Sequence, residues 1–179
     1  NFDMTLAFVF PGQGSQSVGM LNALADTYPG VKDTFAEASA ALGYDLWTIV
    51  ANGPEDKLNQ TEITQPAMLA AGIAVWRVWR AEGGAMPVAM AGHSLGEYTA
   101  LCAASAIAFK DAVQLVADRG RYMQAAVPAG QGGMAAIVGL DDAQVQSLCT
   151  QAAQGEVLSA VNFNSPGQVV IAGTAAAVA

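Results

Sequence analysis

Short apolar runs alternate with helically periodic stretches along most of this chain. Leu6–Phe10 is a run of strand length, closed by Pro11-Gly12-Gln13-Gly14-Ser15-Gln16, so it reads as a strand entering a Gly-rich loop. Helices are predicted over Met20–Thr27 and Val31–Leu42. Short helical turns are predicted over Tyr44–Val50 and Glu55–Asn59, on either side of the breaker Asn52-Gly53-Pro54. Thr64–Glu82 carries apolar residues in helical phase at Leu69, Ile73, Trp76 and Trp79, with Thr64 as the expected N-cap and Pro66 just inside. Gly83-Gly84 ends it. A strand over Val88–Ala91, a helix over Glu97–Ala106 and a helix over Lys110–Val127 follow. Strands alternating with helices argue for a parallel sheet in an α/β arrangement.

Beyond Pro128-Ala129-Gly130-Gln131-Gly132-Gly133 the pattern changes. It predicts a strand over Met134–Leu140 and a helix over Asp141–Ala153 capped by Asp141. Strands over Val157–Phe163 and Val169–Ala172 follow, joined by the turn Asn164-Ser165-Pro166-Gly167, with a helix beginning at Thr174. A β-α-β-β order of this kind is the start of a ferredoxin-like α+β subdomain. The expected division is therefore residues 1–128, the first part of an α/β core, and residues 129–179, the start of the subdomain.

The pentapeptide Gly92-His93-Ser94-Leu95-Gly96 lies between the Val88–Ala91 strand and its helix. Strand, sharp turn at a serine, then helix is the setting that makes G-x-S-x-G a nucleophile elbow. Glycines on either side let strand and helix close on each other, and the serine stands at a helix N-terminus, where N–H groups favour developing negative charge. The other reading is a Gly-rich turn without chemistry. A serine nucleophile needs a base, usually histidine. The chain's one histidine, His93, is adjacent to Ser94, where neighbouring side chains diverge, so a structural role is expected of it.

Arg119 lies about 50° from the centre of the stripe formed by Val113, Val116, Gly120, Met123 and Val127, and so tends inward between Leu115 and Tyr122. An inward arginine suits a carboxylate or phosphate. A snorkelling side chain, or a pair with a neighbour such as Asp118, fits the periodicity equally. The loop Gly12-Gln13-Gly14-Ser15 lacks the spacing of a phosphate loop; a second oxyanion donor or an ordinary turn both fit it.

Composition narrows the classes. Apolar residues make up 53% and charged residues 12% of 179 residues, enough for a sizeable core. A net charge of −8 argues against nucleic-acid binding. No apolar run approaches the ~20 residues of a bilayer span, and no basic segment precedes the first apolar run. A cytoplasmic protein with neither membrane association nor signal peptide is expected. Cys102 and Cys149 have no metal or redox spacing and are expected to be buried thiols; no metal site is expected. Met4 is the expected native start, with Asn1–Asp3 added ahead of it.

Four segments in this order carry a resemblance: Phe10-Pro11-Gly12-Gln13-Gly14-Ser15-Gln16, Gly92-His93-Ser94-Leu95-Gly96-Glu97-Tyr98, Arg119-Gly120-Arg121-Tyr122-Met123-Gln124 and Val161-Asn162-Phe163-Asn164-Ser165-Pro166-Gly167-Gln168. From about Met4 to Ala179 the chain resembles the malonyl-CoA:acyl carrier protein transacylases of bacterial type II fatty acid synthesis. It is similar also to the acyltransferase domains of polyketide and animal fatty acid synthases. The resemblance implies an α/β-hydrolase-like core with a ferredoxin-like subdomain, both incomplete here, and ping-pong transfer of a malonyl group through a malonyl-serine. By this resemblance Ser94 is the nucleophile, the backbone N–H groups of Gln13 and Leu95 form the oxyanion hole, Arg119 pairs with the malonyl carboxylate, and Asn164 lies near the pantetheine entrance. Malonyl-CoA is implied as substrate and acyl carrier protein as partner, with no bound cofactor and a monomeric state. Both partners are acidic, so a locally basic entrance is implied. The family's base histidine and an assisting glutamine lie downstream of the segments matched here, so this chain corresponds to an N-terminal portion. Two other readings compete: a serine esterase or thioesterase on the same elbow, and an inactive carrier-protein-binding fragment.

Overall fold

The computed structural model describes residues 5–179; the expectations for Met4 and for Asn1–Asp3 lie outside the described residues. The chain divides into two compact units, Asn1–Gln124 and Ala125–Ala179.

In the first unit, β1 (Ala7–Phe10) is followed by α1 (Asn22–Thr27), α2 (Gly30–Leu42), α3 (Leu46–Asn52), α4 (Glu55–Leu58) and α5 (Thr61–Ala81). Then come β2 (Ala89–Gly92), α6 (Leu95–Ala103) and α7 (Phe109–Ala126). β1 and β2 pair in parallel, Ala7 opposite Ala89 and Phe10 opposite Gly92. Alternation decides which face is covered. Phe8, Phe10 and Met90 turn to the core, which α2, α5 and α6 fill with Phe35, Leu69, Ile73 and Leu95. The opposite face, with Ala7, Val9, Ala89 and Ala91, is exposed; Val9 is 77% and Val88 74% accessible. Along β2's other edge runs a groove of about 710 Å³ lined by Met86, Val88, Met90 and Leu101 among others. Gly72 brings α5 close to the sheet: a Cβ there would come 2.6 Å from Thr99 Cγ2 and 3.3 Å from Phe10.

Element boundaries differ from the sequence pattern mostly by a residue or two, with one informative exception. α5 begins at Thr61, and Gln60, not Thr64, is its N-cap. Thr64 is buried inside the helix, its hydroxyl donating to the carbonyls of Leu58 and Gln60. That back-bonding hydroxyl satisfies itself on the preceding turn, so the residue is tolerated in the helix rather than needed at its start. Pro66 lies inside the helix. On α7 the apolar stripe buries Val113, Val116 and Gly120, while Met123 is exposed. Cys102 is half-buried, a partial departure from the expectation, and burial pushes its thiol up to about 11 against the pull of Arg77. Cys149, in the second unit, is buried.

The second unit consists of β3 (Gly132–Val138), α8 (Asp142–Ala153), β4 (Leu158–Ser165), β5 (Gln168–Thr174) and α9 (Ala175–Val178). The sheet is antiparallel in the order β3-β5-β4. α8 opens with a capping box between Asp141 and Gln144 and packs Val145 and Cys149 onto Leu158, Val169 and Ile171. Ser165 belongs to β4, so the β4–β5 turn is narrower than its sequence suggested. It centres on Pro166-Gly167, Gly167 having φ 76°. The pairing register shifts twice along β4, between Ala160 and Asn162 and between Phe163 and Ser165. Asn164 therefore sits at a bulge in the strand rather than in the turn.

Candidate active site

Ser94 is the N-cap of α6 with φ 51° and ψ −112°, a conformation that residues with side chains rarely adopt. Both glycines of the pentapeptide are required by close approach. A Cβ on Gly92 would come 1.9 Å from the carbonyl atoms of Gly96, and one on Gly96 would come 2.1 Å from the Phe10 oxygen. The backbone of the bend is tied down by His93 N–H to the Phe10 carbonyl at 3.2 Å and Gly96 N–H to the His93 carbonyl at 2.8 Å. Ser94 is thus exposed on a rigid bend, and Leu95, fully buried, is the first residue of the helix behind it. The N–H groups of a first helical turn have no partner within the helix.

The Gly-rich loop after β1 abuts the same bend. A Cβ on Gly12 would come 2.8 Å from the His93 oxygen. Two side chains pin the loop to the junction of α4 and α5: Gln13 Nε2 donates to Thr61 Oγ1 at 3.1 Å, and Gln16 Nε2 to Asn59 Oδ1, at the end of α4, at 2.8 Å. Gln16 Oε1 also accepts from the Gly14 N–H at 2.8 Å. The structure therefore brings the loop that carries Gln13 to the serine bend, across about eighty residues of sequence.

Arg119 completes the cluster. Its Nη2 donates to Ser94 Oγ at 2.9 Å and its Nη1 to Gln65 Oε1 at 2.8 Å, while its Cζ lies 5.3 Å from the centre of the Tyr98 ring. The ion pair that Asp118 makes is with Arg121, on the same helix. Among the described residues no carboxylate forms an ion pair with Arg119. The guanidinium is thus a half-buried cation without a counter-charge, aimed at a serine oxygen. A small anionic group bound there would supply the missing partner.

The remaining expected residues are placed as follows. His93 is exposed on the bend beside Ser94. Asn164 is exposed at the β4 bulge of the second unit. Among the described residues no group of three or more His, Cys, Asp or Glu could hold a metal ion, and no helix is long and apolar enough to cross a membrane. Gln65 is not among the residues singled out from the sequence. A signal for it existed: Gln65 stands four residues before Leu69, in phase with the stripe Leu69-Ile73-Trp76, and a polar residue on a buried face needs a partner.

Fold and site together place the chain in a class: mixed α/β proteins that carry a serine on a strand–turn–helix bend. The sequence profile of the acyl transferase domain matches residues 7–179, and the chain belongs to that family. It is 65% identical over 167 residues to the malonyl CoA-acyl carrier protein transacylase of Salmonella typhimurium, covering 93% of this chain and 54% of that protein. It is 45% identical over 171 residues to the protein of the same name from Bacillus subtilis, covering 95% of this chain and 54% of that one. Among solved structures it matches an acyl carrier protein S-malonyltransferase from Vibrio cholerae with a TM-score of 0.92 and 62% identity, over 96% of this chain and 56% of that one. It also matches a malonyl-transacylase in complex with its type II PKS acyl-carrier protein, with a TM-score of 0.94 and 58% identity, over 98% and 57% of the two chains. The chain spans about half the length of the curated relatives it matches.

Proposed function

We propose that the protein to which this chain belongs transfers a malonyl group from malonyl-CoA to the phosphopantetheine thiol of acyl carrier protein, supplying extender units for fatty acid synthesis. The observation that carries this reading is the 2.9 Å contact of Arg119 Nη2 with Ser94 Oγ. A malonyl group esterified to that oxygen ends in a carboxylate two carbons beyond its ester carbon, within reach of a guanidinium that already touches the oxygen.

In this reading Ser94 Oγ attacks the thioester carbonyl, its proton passing to a general base. The C–S bond breaks, CoA leaves as the thiol, and the malonyl group remains on Oγ. The carrier-protein thiol then attacks the ester carbon, and Ser94 regains its proton as the C–O bond breaks. Negative charge on the carbonyl oxygen is met in both halves by the N–H groups of Gln13 and Leu95. The position of Leu95 at the head of α6, and the Gly12 contact that brings the loop to the bend, support that assignment. His93 lies beside the nucleophile rather than across from it. The base is assigned to the part of the longer relatives beyond residue 179. Asn164 is assigned to the pantetheine entrance.

No cofactor enters the scheme, since thioester exchange is balanced by its two thiols and one hydroxyl. Residues 1–128 are read as the first part of an α/β-hydrolase-like core, supported by the parallel pair with a serine bend after β2. Residues 129–179 are read as the start of a ferredoxin-like subdomain, supported by the β-α-β-β order and antiparallel sheet. A cytoplasmic location is part of the same reading.

The test is substitution of Arg119 in the polypeptide carried to the length of its relatives. Arg119→Ala should lower kcat/KM for malonyl transfer by about a hundredfold or more while leaving transfer of an acetyl group far less affected. Equal loss for both groups would remove the carboxylate role.

A further inference from the structure

The transfer scheme leaves one well-built contact unused. Gln65 has no accessible surface, yet its amide reaches both Arg119 and Met123: Oε1 accepts from Arg119 Nη1 at 2.8 Å, and Nε2 donates to Met123 Sδ at 3.2 Å. We infer that Gln65, backed by Met123, is a positioning residue that holds one guanidinium nitrogen so that the other faces the serine, and thereby sets the preference for acyl groups ending in a carboxylate. The inference rests on the transferase reading and names a residue which that reading does not.

Three observations carry it. The first is that the amide can sit only one way round. A guanidinium only donates and a thioether only accepts, so Oε1 must face Arg119 and the NH₂ must face Met123. A flipped amide would set donor against donor at Arg119 and acceptor against acceptor at Met123, leaving both unmatched. The second is that the distance across the contact is fixed by backbone. α7 meets α5 at Gly120, where a Cβ would come 2.7 Å from Glu62 Cα and 2.8 Å from the Thr61 oxygen. Arg119 is therefore delivered to Gln65 by a main-chain contact one residue away. The third is that Tyr98 lies 5.3 Å from Arg119 Cζ. With Nη1 held and the ring close by, rotation of the fork is restricted and Nη2 is left directed at Oγ.

Residue type matters as much as position. A glutamate at 65 would orient the same guanidinium but cancel its charge, leaving nothing for an incoming carboxylate. Glutamine orients without neutralising. The contact thus separates two properties usually supplied together by an ion pair, direction and charge compensation, and reserves the second for the acyl group.

The experiment compares malonyl and acetyl transfer by parent, Arg119→Ala, Gln65→Leu and Gln65→Glu in the polypeptide carried to the length of its relatives, with thermal melting of each as a check on folding. Gln65→Leu keeps shape and loses the hydrogen bond to a cation. It should lower the malonyl-to-acetyl ratio of kcat/KM by roughly tenfold to a hundredfold, with acetyl transfer close to the parent's. Gln65→Glu, nearly isosteric and expected to fold even if the leucine variant does not, should lower the ratio at least as far by neutralising Arg119. A purely structural role would lower both activities together. A ratio unchanged in folded Gln65→Leu or Gln65→Glu, with Arg119→Ala still selective, overturns the inference alone. An Arg119→Ala variant that loses both activities equally overturns the transferase reading and this inference with it.

Discussion

At Ser94 the bend that exposes the hydroxyl also holds a side-chain-bearing residue at φ 51°. Such a conformation costs roughly 1–3 kcal/mol, a cost that glycine largely escapes. Ser94→Ala and Ser94→Gly both delete the nucleophile, but only the second relieves the backbone. The glycine variant should melt a few degrees above the alanine variant, by about 1 kcal/mol of stability, with neither forming an acyl-enzyme. Identical melting temperatures would mean the bend is unstrained. Tyr44 offers a second test at this scale. Burial, and then the nearby charge of Glu62, push its hydroxyl up to about 12. The folded state therefore keeps the proton that an unfolded tyrosine releases near its ordinary value of about 10. The stabilisation is complete below pH 10 and is lost as pH rises from there towards 12. Urea midpoints measured from about pH 9 to about pH 11 should fall more steeply for the parent than for Tyr44→Phe.

Between elements, the contact that matters most is the meeting of α7 with the first turn of α5. Gly120→Ala places a methyl group against Glu62 Cα and the Thr61 carbonyl, atoms that cannot turn aside as a flexible side chain would. The helices must part, at an expected cost of about 1–3 kcal/mol. Arg119 should move away from Ser94 with them, so malonyl transfer should fall in protein that still melts cooperatively. Gly30→Ala, where an added Cβ meets nothing within 4 Å, is the control and should leave both stability and activity near the parent's. The same contact explains what was legible in the chain and what was not. Periodicity located the helices, and the glycines around Ser94 marked the bend, because those signals lie within a few residues of one another. The angle of Arg119 on its helix announced an inward charge but not its partner. Gln65 belongs to a helix more than fifty residues away, and only the approach of backbones at Gly120 brings the two together. Thr64 looks like a cap in sequence because its hydroxyl can serve a helix start or bond back along a helix interior, and local sequence does not choose between them. Asn164 looks like a turn residue in sequence for a similar reason: a bulge depends on the partner strand's register.

At the scale of the whole molecule, the parallel pair β1–β2 stands out. Such pairs are ordinarily covered on both sides. Here α5 and α6 cover one, while Val9 and Val88 are largely exposed and β2 pairs with β1 alone among the described residues. An uncovered strand margin rimmed with valine and methionine is adhesive. Produced alone at this length, the polypeptide would be expected to join margin to margin with its own copies, or to be retained by chaperones. The remedy would be a companion segment that adds a strand, rather than a change of buffer.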